Sequence, residues 1–229
     1  MNNTILGLVN LEKLSRLSYY KRHAEFWSWI KKFHPVGVYV RSIQGNDRLI
    51  IFQYKGSVIM SIAGSDDKAD WKENFIIKTI KRLWYSYKGF ADPAEAIAKE
   101  LEMYCDMWSL DIKKIHIEQS SHSRGGGISK IVQKIFEDKG IDSKTFTWGA
   151  PPSGGRRFCK RAKTDNTIEF QIKGDPVPRS NPFGKANGKV IKLPKQIKGF
   201  FYRIKQLFKG NMNHRSYNCI KDIYPYYRW

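Results

Sequence analysis

The alternation of strand-like and helix-like segments between residues 113 and 173 constrains the fold of this chain more than any other feature. Strand-like runs lie at 113–118, 145–148 and 167–173, and helix-like runs lie at 128–136 and 156–163. Strands that alternate with helices pair in parallel, because each helix returns the chain to the same edge of the sheet. The pattern therefore predicts an α/β fold whose mostly parallel central sheet is flanked by helices on both faces.

The first hundred residues predict further elements around this sheet. An amphipathic pattern at 11–32 indicates one helix, which His34-Pro35 would end. The β-like runs lie at 36–40, 49–53 and 57–62, and the helical patterns lie at 70–84 and from about 93 to 107. Pro93 suits the first turn of that last helix.

Length and charge bound the organisation of the chain. Its 229 residues fit one α/β domain, here predicted to span 1–229 with an N-terminal helical segment at about 1–35. Lysine and arginine number 41 against 21 acidic residues, which gives a net charge of +20. Such an excess favours anionic partners such as nucleic acid, an acidic membrane surface or an acidic protein.

Cysteine content and hydropathy restrict the chemistry and the compartment. The three cysteines, Cys105, Cys159 and Cys219, are too few and too widely spaced for a disulfide framework or a zinc site. We therefore expect neither a metal nor another cofactor. No apolar run reaches membrane-spanning length, and the first residues lack the basic start of a signal peptide. The prediction is a cytoplasmic protein, or one released without a signal peptide, that can bind a membrane peripherally.

The segment from Glu118 to Gly127, Glu-Gln-Ser-Ser-His-Ser-Arg-Gly-Gly-Gly, follows a predicted strand and opens a predicted helix. A nucleophilic serine of an α/β hydrolase needs this setting, because the sharp turn exposes the hydroxyl and small neighbours leave room for it. Ser123 is the candidate nucleophile. The alternative is a glycine-rich turn that binds phosphate at a helix N-terminus. A P-loop is not supported, because no Lys-Ser/Thr pair follows the glycines.

A nucleophilic serine needs a base, and the base needs an orienting acid. In α/β hydrolases their chain order is serine, acid, histidine. Asp175 follows a predicted strand, and His214 is the one histidine after it in the sequence. Gly64-Ser65 ends an earlier strand, where the main-chain N–H of Ser65 could join that of Arg124 in an oxyanion hole.

Six short motifs in this order resemble those of the class 3 lipases, the fungal-type branch of the α/β hydrolases. They are Ala63-Gly64-Ser65 before Trp71, Tyr87-Lys88-Gly89-Phe90, Ser121-His122-Ser123-Arg124-Gly125-Gly126, Trp148-Gly149-Ala150-Pro151, Asp175-Pro176-Val177-Pro178-Arg179, and His214 before Tyr217. The chain departs from the family pattern at Ser121, which replaces a glycine, at Ala63, which replaces an arginine, and at Arg124, which replaces an apolar residue.

The resemblance implies hydrolysis of acyl esters, with glycerolipids or phospholipids as typical substrates. The catalytic residues would be Ser123, Asp175 and His214, with Ser65 and Arg124 at the oxyanion hole. The competing hypothesis is a non-catalytic hydrolase fold whose basic surface binds nucleic acid or another anionic partner.

A basic amphipathic segment at about 195–209 offers a candidate membrane contact. Its contact residues would be Lys195, Lys198, Phe200, Phe201, Arg203, Lys205 and Lys209. The alternative is a helix that packs against the core and exposes a basic face to water.

Overall fold

A computed structural model describes residues 4–19, 22–43, 47–64, 86–162, 164–180 and 184–194. Within these residues one sheet contains β1 Val36–Ser42, β2 Arg48–Tyr54, β3 Ser57–Ile62, β4 Ile117–His122, β5 Ser143–Trp148, β6 Thr167–Ile172 and β7 Lys189–Leu193, side by side in that order. Strand β2 pairs antiparallel with both β1 and β3, and the neighbouring pairs from β3 to β7 are parallel. The predicted mostly parallel α/β sheet is confirmed.

Helices cover both faces of this sheet. They are α1 Leu8–Leu17, α2 His23–Ile30, α3 Lys88–Met107, α4 Arg124–Asp138 and α5 Arg156–Arg161, with 3-10 turns at Lys31–Phe33 and Val177–Arg179. The apolar residues of α3 and α4 form one core with the sheet, and those of α1 and α2 form a second core on the opposite face. The parallel strands therefore lie between two apolar layers, as expected for crossover connections.

The single helix predicted at 11–32 is wrong, because α1 ends at Leu17 and α2 begins at His23. Buried Arg48 lies behind the break and donates a hydrogen bond from Nη1 to the Tyr19 carbonyl at 3.3 Å. The same carbonyl accepts from the Arg22 N–H at 3.0 Å, so two hydrogen bonds hold the chain at the break.

Helix α3 begins at Lys88, not near Pro93, which lies inside it. Proline has no N–H to donate to the carbonyl four residues earlier, here that of Gly89. The Arg124 guanidinium takes that place, because its Nη2 donates to the Gly89 oxygen at 3.0 Å. A side chain next to the candidate nucleophile thus completes the first turn of a helix distant in sequence.

Two strand predictions needed correction. The strand predicted at 113–118 begins at Ile117 and continues to His122, so the turn to the helix is sharper than the sequence indicated. Strand β7 was missed, because Lys189 and Lys192 interrupt its short apolar run. Lysines are typical of an edge strand, where they discourage pairing with other chains. The helix predicted at 70–84 lies outside the described residues.

The carboxylate of Glu118, fully buried in β4, anchors the start of the chain. Its two oxygens accept hydrogen bonds from the main-chain N–H groups of Ile5 and Leu6, each at 3.1 Å. Burial raises the pKa of Glu118, although these two hydrogen bonds oppose the shift. Because the fold binds this proton more tightly than the unfolded chain, the free energy of unfolding falls as pH rises from the unfolded to the folded pKa.

The variant Glu118→Gln should lack this contribution to the pH dependence. The difference in unfolding free energy between wild type and variant should shift against the wild type as pH rises above about 4.5, and then level off. Urea unfolding of both proteins between pH 4 and 7.5 measures this difference. A difference that stays constant, or shifts the other way, would contradict the raised pKa.

Candidate active site

Ser123 occupies the sharp turn between β4 and α4. It follows the last strand residue, His122, and precedes the first helical residue, Arg124, with φ 55° and ψ −129°. A side chain is strained in this backbone conformation, which glycine adopts more readily. The Ser123 N–H donates to the Trp148 carbonyl at 3.0 Å, and its own carbonyl accepts from Gly127 N at 3.2 Å. The sharp strand-to-helix turn predicted at Ser123, called the elbow below, is therefore present.

Close packing explains the glycines that follow Ser123. A β-carbon on Gly125 would lie 2.1 Å from the carbonyl oxygen of Ile62, and one on Gly126 would lie 2.7 Å from Cβ of Ala150. Since real β-carbons do not approach atoms so closely, the first turn of α4 can lie against β3 and the loop after β5 only without side chains. The close approach of these elements therefore requires glycine at both positions.

Ser121, where the lipase motif has glycine, is accommodated by hydrogen bonds. Pairing of β3 with β4 ends at Met60 and Gln119, so Ile62 lies beyond the ladder. The Ser121 hydroxyl accepts from the Ile62 N–H at 3.0 Å and from the Ser129 hydroxyl at 2.7 Å. The substitution therefore adds links from β4 to β3 and α4 without displacing the elbow.

Gly64 and Tyr19 lie next to the nucleophile. A β-carbon on Gly64 would come within 3.2 Å of Cβ of Ser123 and 2.4 Å of the Tyr19 hydroxyl oxygen. The same Tyr19 hydroxyl shares a hydrogen bond of 2.7 Å with Nδ1 of His122. The sequence did not indicate Tyr19 as a neighbour of Ser123. Tyr19 lies in the break between α1 and α2, where the sequence predicted a continuous helix.

The Arg124 side chain links the start of α4 to the starts of β2 and α3. Its Nη1 pairs with the buried carboxylate of Asp47, at the start of β2, while Nη2 donates to Gly89 at the start of α3. Burial lowers the pKa of Arg124 to about 10, which still leaves the guanidinium charged at neutral pH. The sequence predicted an oxyanion donor in the Arg124 main chain, which stays a prediction, and gave no sign of this clamp.

Asp175, the predicted orienting acid, is buried just beyond β6. Its N–H donates to the Ile172 carbonyl at 3.0 Å, and its Oδ1 accepts from the Val177 N–H at 2.9 Å. These bonds form a tight turn that fixes the carboxylate after the carboxyl end of the strand. Ser123 follows the carboxyl end of β4, so both residues lie at the same edge of the sheet.

Some predicted site residues lie outside the described part of the chain. They are His214, Ser65 and the candidate membrane-contact residues Lys195, Lys198, Phe200, Phe201, Arg203, Lys205 and Lys209. Of the histidines that the structure describes, His122 directly precedes Ser123, whereas His116 lies at the other edge of the sheet. His116 precedes β4 at the opposite edge, where Nδ1 lies 2.8 Å from Oδ2 of Asp142.

No protein-family model matches the sequence, and no curated protein matches it either. Solved structures do match the fold. A triacylglycerol lipase described as having a serine-protease triad at its catalytic centre shares 15% identity at a TM-score of 0.69, over 93% of both chains. Lipase II from Rhizopus niveus shares 13% identity at a TM-score of 0.67, over 92% of both chains.

The chain has the fold of the fungal triacylglycerol lipases. A Rhizomucor miehei lipase, in complex with its propeptide, superposes at a TM-score of 0.57 with 16% identity. This match covers 79% of the present chain and 66% of the lipase chain. At such low identity the similarity establishes the lipase fold, as the sequence motifs predicted, and not an activity.

The described residues bear on two further expectations. Among the helices that the structure describes, none is long and apolar enough to cross a membrane. In the same residues, histidine, cysteine and carboxylate side chains do not gather in any group of three that could hold a metal ion. The two described cysteines, Cys105 and Cys159, have pKa values raised by burial, which disfavours the reactive thiolate.

Proposed function

We propose that this protein hydrolyses carboxylic esters through a covalent acyl-enzyme formed on Ser123, with His214 as general base and Asp175 as the acid that orients it. The observation that carries this proposal is the strained backbone of Ser123 between β4 and α4. A non-glycine residue persists in such a conformation only where the surroundings enforce it, and such strain is concentrated at functional sites.

The spacing of Ser123 and Asp175 supports the triad. Strand β5 alone separates β4 from β6. Neighbouring strands lie about 4.8 Å apart, so the two strand ends are separated by roughly 10 Å. Side chains reaching inward from both ends leave a gap that suits an imidazole, hydrogen-bonded to the serine on one side and to the carboxylate on the other.

The reaction then follows from these roles. The Ser123 hydroxyl attacks the ester carbonyl while His214 removes its proton, and Asp175 stabilises the resulting imidazolium. His214 returns the proton to the leaving alcohol, which breaks the ester bond and leaves the acyl group on Ser123. A water molecule, activated by the same histidine, releases the carboxylic acid.

The oxyanion of each tetrahedral intermediate would accept hydrogen bonds from the main-chain N–H groups of Arg124 and Ser65. Arg124 is the first residue of α4, where an N–H has no acceptor within the helix. The positive end of the helix dipole favours negative charge at this place. The guanidinium clamp to Asp47 and Gly89 holds the donor in position before the substrate arrives.

Lipid esters are the substrates that the fold favours, because the structures it matches are lipases. The competing hypothesis of a non-catalytic fold that binds nucleic acid leaves the strained backbone of Ser123 without a role. We therefore assign the site to a lipase- or phospholipase-type esterase.

Substitution of His214 tests this assignment with a matched control in the same chain. The variant His214→Ala should lose at least about 10³-fold in kcat on a p-nitrophenyl ester, because the serine loses its base. The variant His116→Ala, which alters a histidine at the opposite edge, should keep wild-type kcat. Equal activity of the wild type and His214→Ala would remove residue 214 from the mechanism.

A further inference from the structure

The two edges of the parallel sheet carry different charge. At the edge that holds Ser123, four exposed basic side chains follow the carboxyl ends of β5 and β6, and we call them the rim cations. They are Arg156, Arg157, Lys173 and Arg179. Asp175 is the acidic residue within this stretch of the rim, and it is buried in the candidate site.

Contacts place the start of α5 beside the site. The loop before α5 bonds to the first turn of α4, because the Ser153 hydroxyl donates to the Gly127 carbonyl at 2.6 Å. The Ser153 carbonyl also accepts from Tyr87 N at 2.9 Å, which ties the loop to α3. Arg156 and Arg157 open α5 directly after this loop, so their charge lies at the rim of the site.

The opposite edge carries acids together with bases. Its exposed acidic residues include Asp111, Asp138, Asp142 and Asp165, which lie at the ends of α4 or before strands β4, β5 and β6. Several of its charges are paired, as Lys114 is with Asp111 at 3.0 Å. The exposed charges that precede β4, β5 and β6 are therefore mixed in sign, whereas the segments that carry the four rim cations have no exposed acid.

Composition strengthens this asymmetry. Between residues 149 and 194 the sequence has ten lysines and arginines against three acids, Asp165, Glu169 and Asp175. Glu169 and Asp175 are buried, and Asp165 lies at the far edge, before β6. Lys189 opens β7 and so also lies at the far edge, and the exposed charges that remain beside the site are basic.

We propose that the rim cations dock the protein on a bilayer rich in anionic phospholipid, with the site edge facing the membrane. This inference rests on the proposed ester hydrolase, and it adds the interface at which that enzyme meets its substrate. Each lysine or arginine near an anionic leaflet improves binding by roughly fivefold. Four such side chains around one site also orient the molecule, which a uniform positive charge would not do.

A membrane explains the location of the charge better than a nucleic acid does. The rim that carries the cations is the rim where Ser123 would meet an ester, so docking there delivers lipid to the nucleophile. Nucleic acid bound at the same place would cover the site without using it.

Two quadruple variants with the same change in net charge test the proposal. The rim variant carries Arg156→Gln, Arg157→Gln, Lys173→Gln and Arg179→Gln. The control variant carries Lys31→Gln, Lys32→Gln, Lys55→Gln and Lys114→Gln, all exposed side chains at the opposite edge. Partitioning of each full-length protein is measured on vesicles of phosphatidylcholine with 30% phosphatidylserine, and on phosphatidylcholine alone.

The rim variant should bind the anionic vesicles at least about 100-fold more weakly than wild type, while the control variant should lose less than about tenfold. Wild type should bind the neutral vesicles at least about 100-fold more weakly than the anionic ones. Equal losses in both variants, or equal binding to both kinds of vesicle, would overturn the proposal. So would a rim variant that keeps vesicle binding but loses binding to a DNA duplex.

Hydrolysis of a soluble short-chain ester separates this proposal from the function on which it rests. Both quadruple variants should cleave that ester at the wild-type rate, since none of their substitutions touches the triad. If wild type binds anionic vesicles through the rim but cleaves no ester, the proposed function fails and the docking surface stands. If wild type cleaves the soluble ester while the rim variant still docks, the docking proposal alone fails.

Discussion

Replacement of Ser123 by alanine should abolish ester hydrolysis, with a loss of about 10⁴–10⁶ in kcat. Loss of the hydroxyl removes the group that forms the acyl-enzyme, whereas the oxyanion donors and the binding surface remain. KM should change far less than kcat, because substrate binding does not depend on the attacking atom. Steady-state kinetics on a soluble ester measure both constants. A kcat within tenfold of the wild type would contradict the proposed role.

A second substitution at the same position separates chemistry from strain. The variant Ser123→Gly should be as inactive as Ser123→Ala, yet it should be more stable by about 1 kcal/mol or more, since glycine tolerates the elbow conformation. Alanine keeps the β-carbon, so it should keep the strain at φ 55°. Thermal unfolding of the two variants and the wild type measures the difference. Equal midpoints for alanine and glycine would contradict a strained elbow.

Loss of the buried ion pair beneath the site should have the largest effect on stability. Nζ of Lys130 on α4 lies 3.1 Å from Oε2 of Glu169 on β6, and both side chains are at most 2% exposed. The other Glu169 oxygen accepts from the N–H groups of Asn187 and Gly188, just before β7. The pair therefore connects α4, the helix that follows Ser123, to β6 and to the start of β7.

The variant Lys130→Met should lower the free energy of unfolding by about 3–5 kcal/mol, because it leaves the Glu169 carboxylate buried without its cation. The matched control is Lys134→Met, one turn later on the same helix, whose partner Asp138 is exposed. That change should alter stability by less than about 1 kcal/mol. Urea unfolding measures both variants. Equal changes in the free energy of unfolding for the two substitutions would contradict a larger contribution from the buried pair.

The elements that could be predicted from the sequence are those whose signal is local. Strands β2 and β3, the helix after Ser123 and the strands on either side of α5 follow from apolar periodicity and turn residues. The sharp turn at Ser123 also follows, because a strand-like run precedes it and a helical pattern comes after it, although this segment alone left a phosphate-binding turn open. Ser123 and Asp175 were placed at one edge by the rule that parallel strands end together.

The features that the sequence did not predict depend on contacts between distant residues. Nothing near Tyr19 in the sequence indicates that its hydroxyl meets His122, or that its carbonyl accepts from Arg48 of another element. The start of α3 was misplaced because proline usually opens a helix, and here Arg124 satisfies the carbonyl that Pro93 leaves unpaired. Spacing in one sequence cannot reveal such long-range hydrogen bonds.

Covalent labelling tests the central claim, that Ser123 is an activated nucleophile, most directly. A fluorophosphonate should react with the native protein at one residue, and fragmentation of the tryptic peptide from Ile115 to Arg124 should locate the adduct on Ser123 rather than on Ser120 or Ser121. The reaction should disappear in Ser123→Ala and after unfolding in urea. An unlabelled native protein, or an adduct on another residue, would contradict the account.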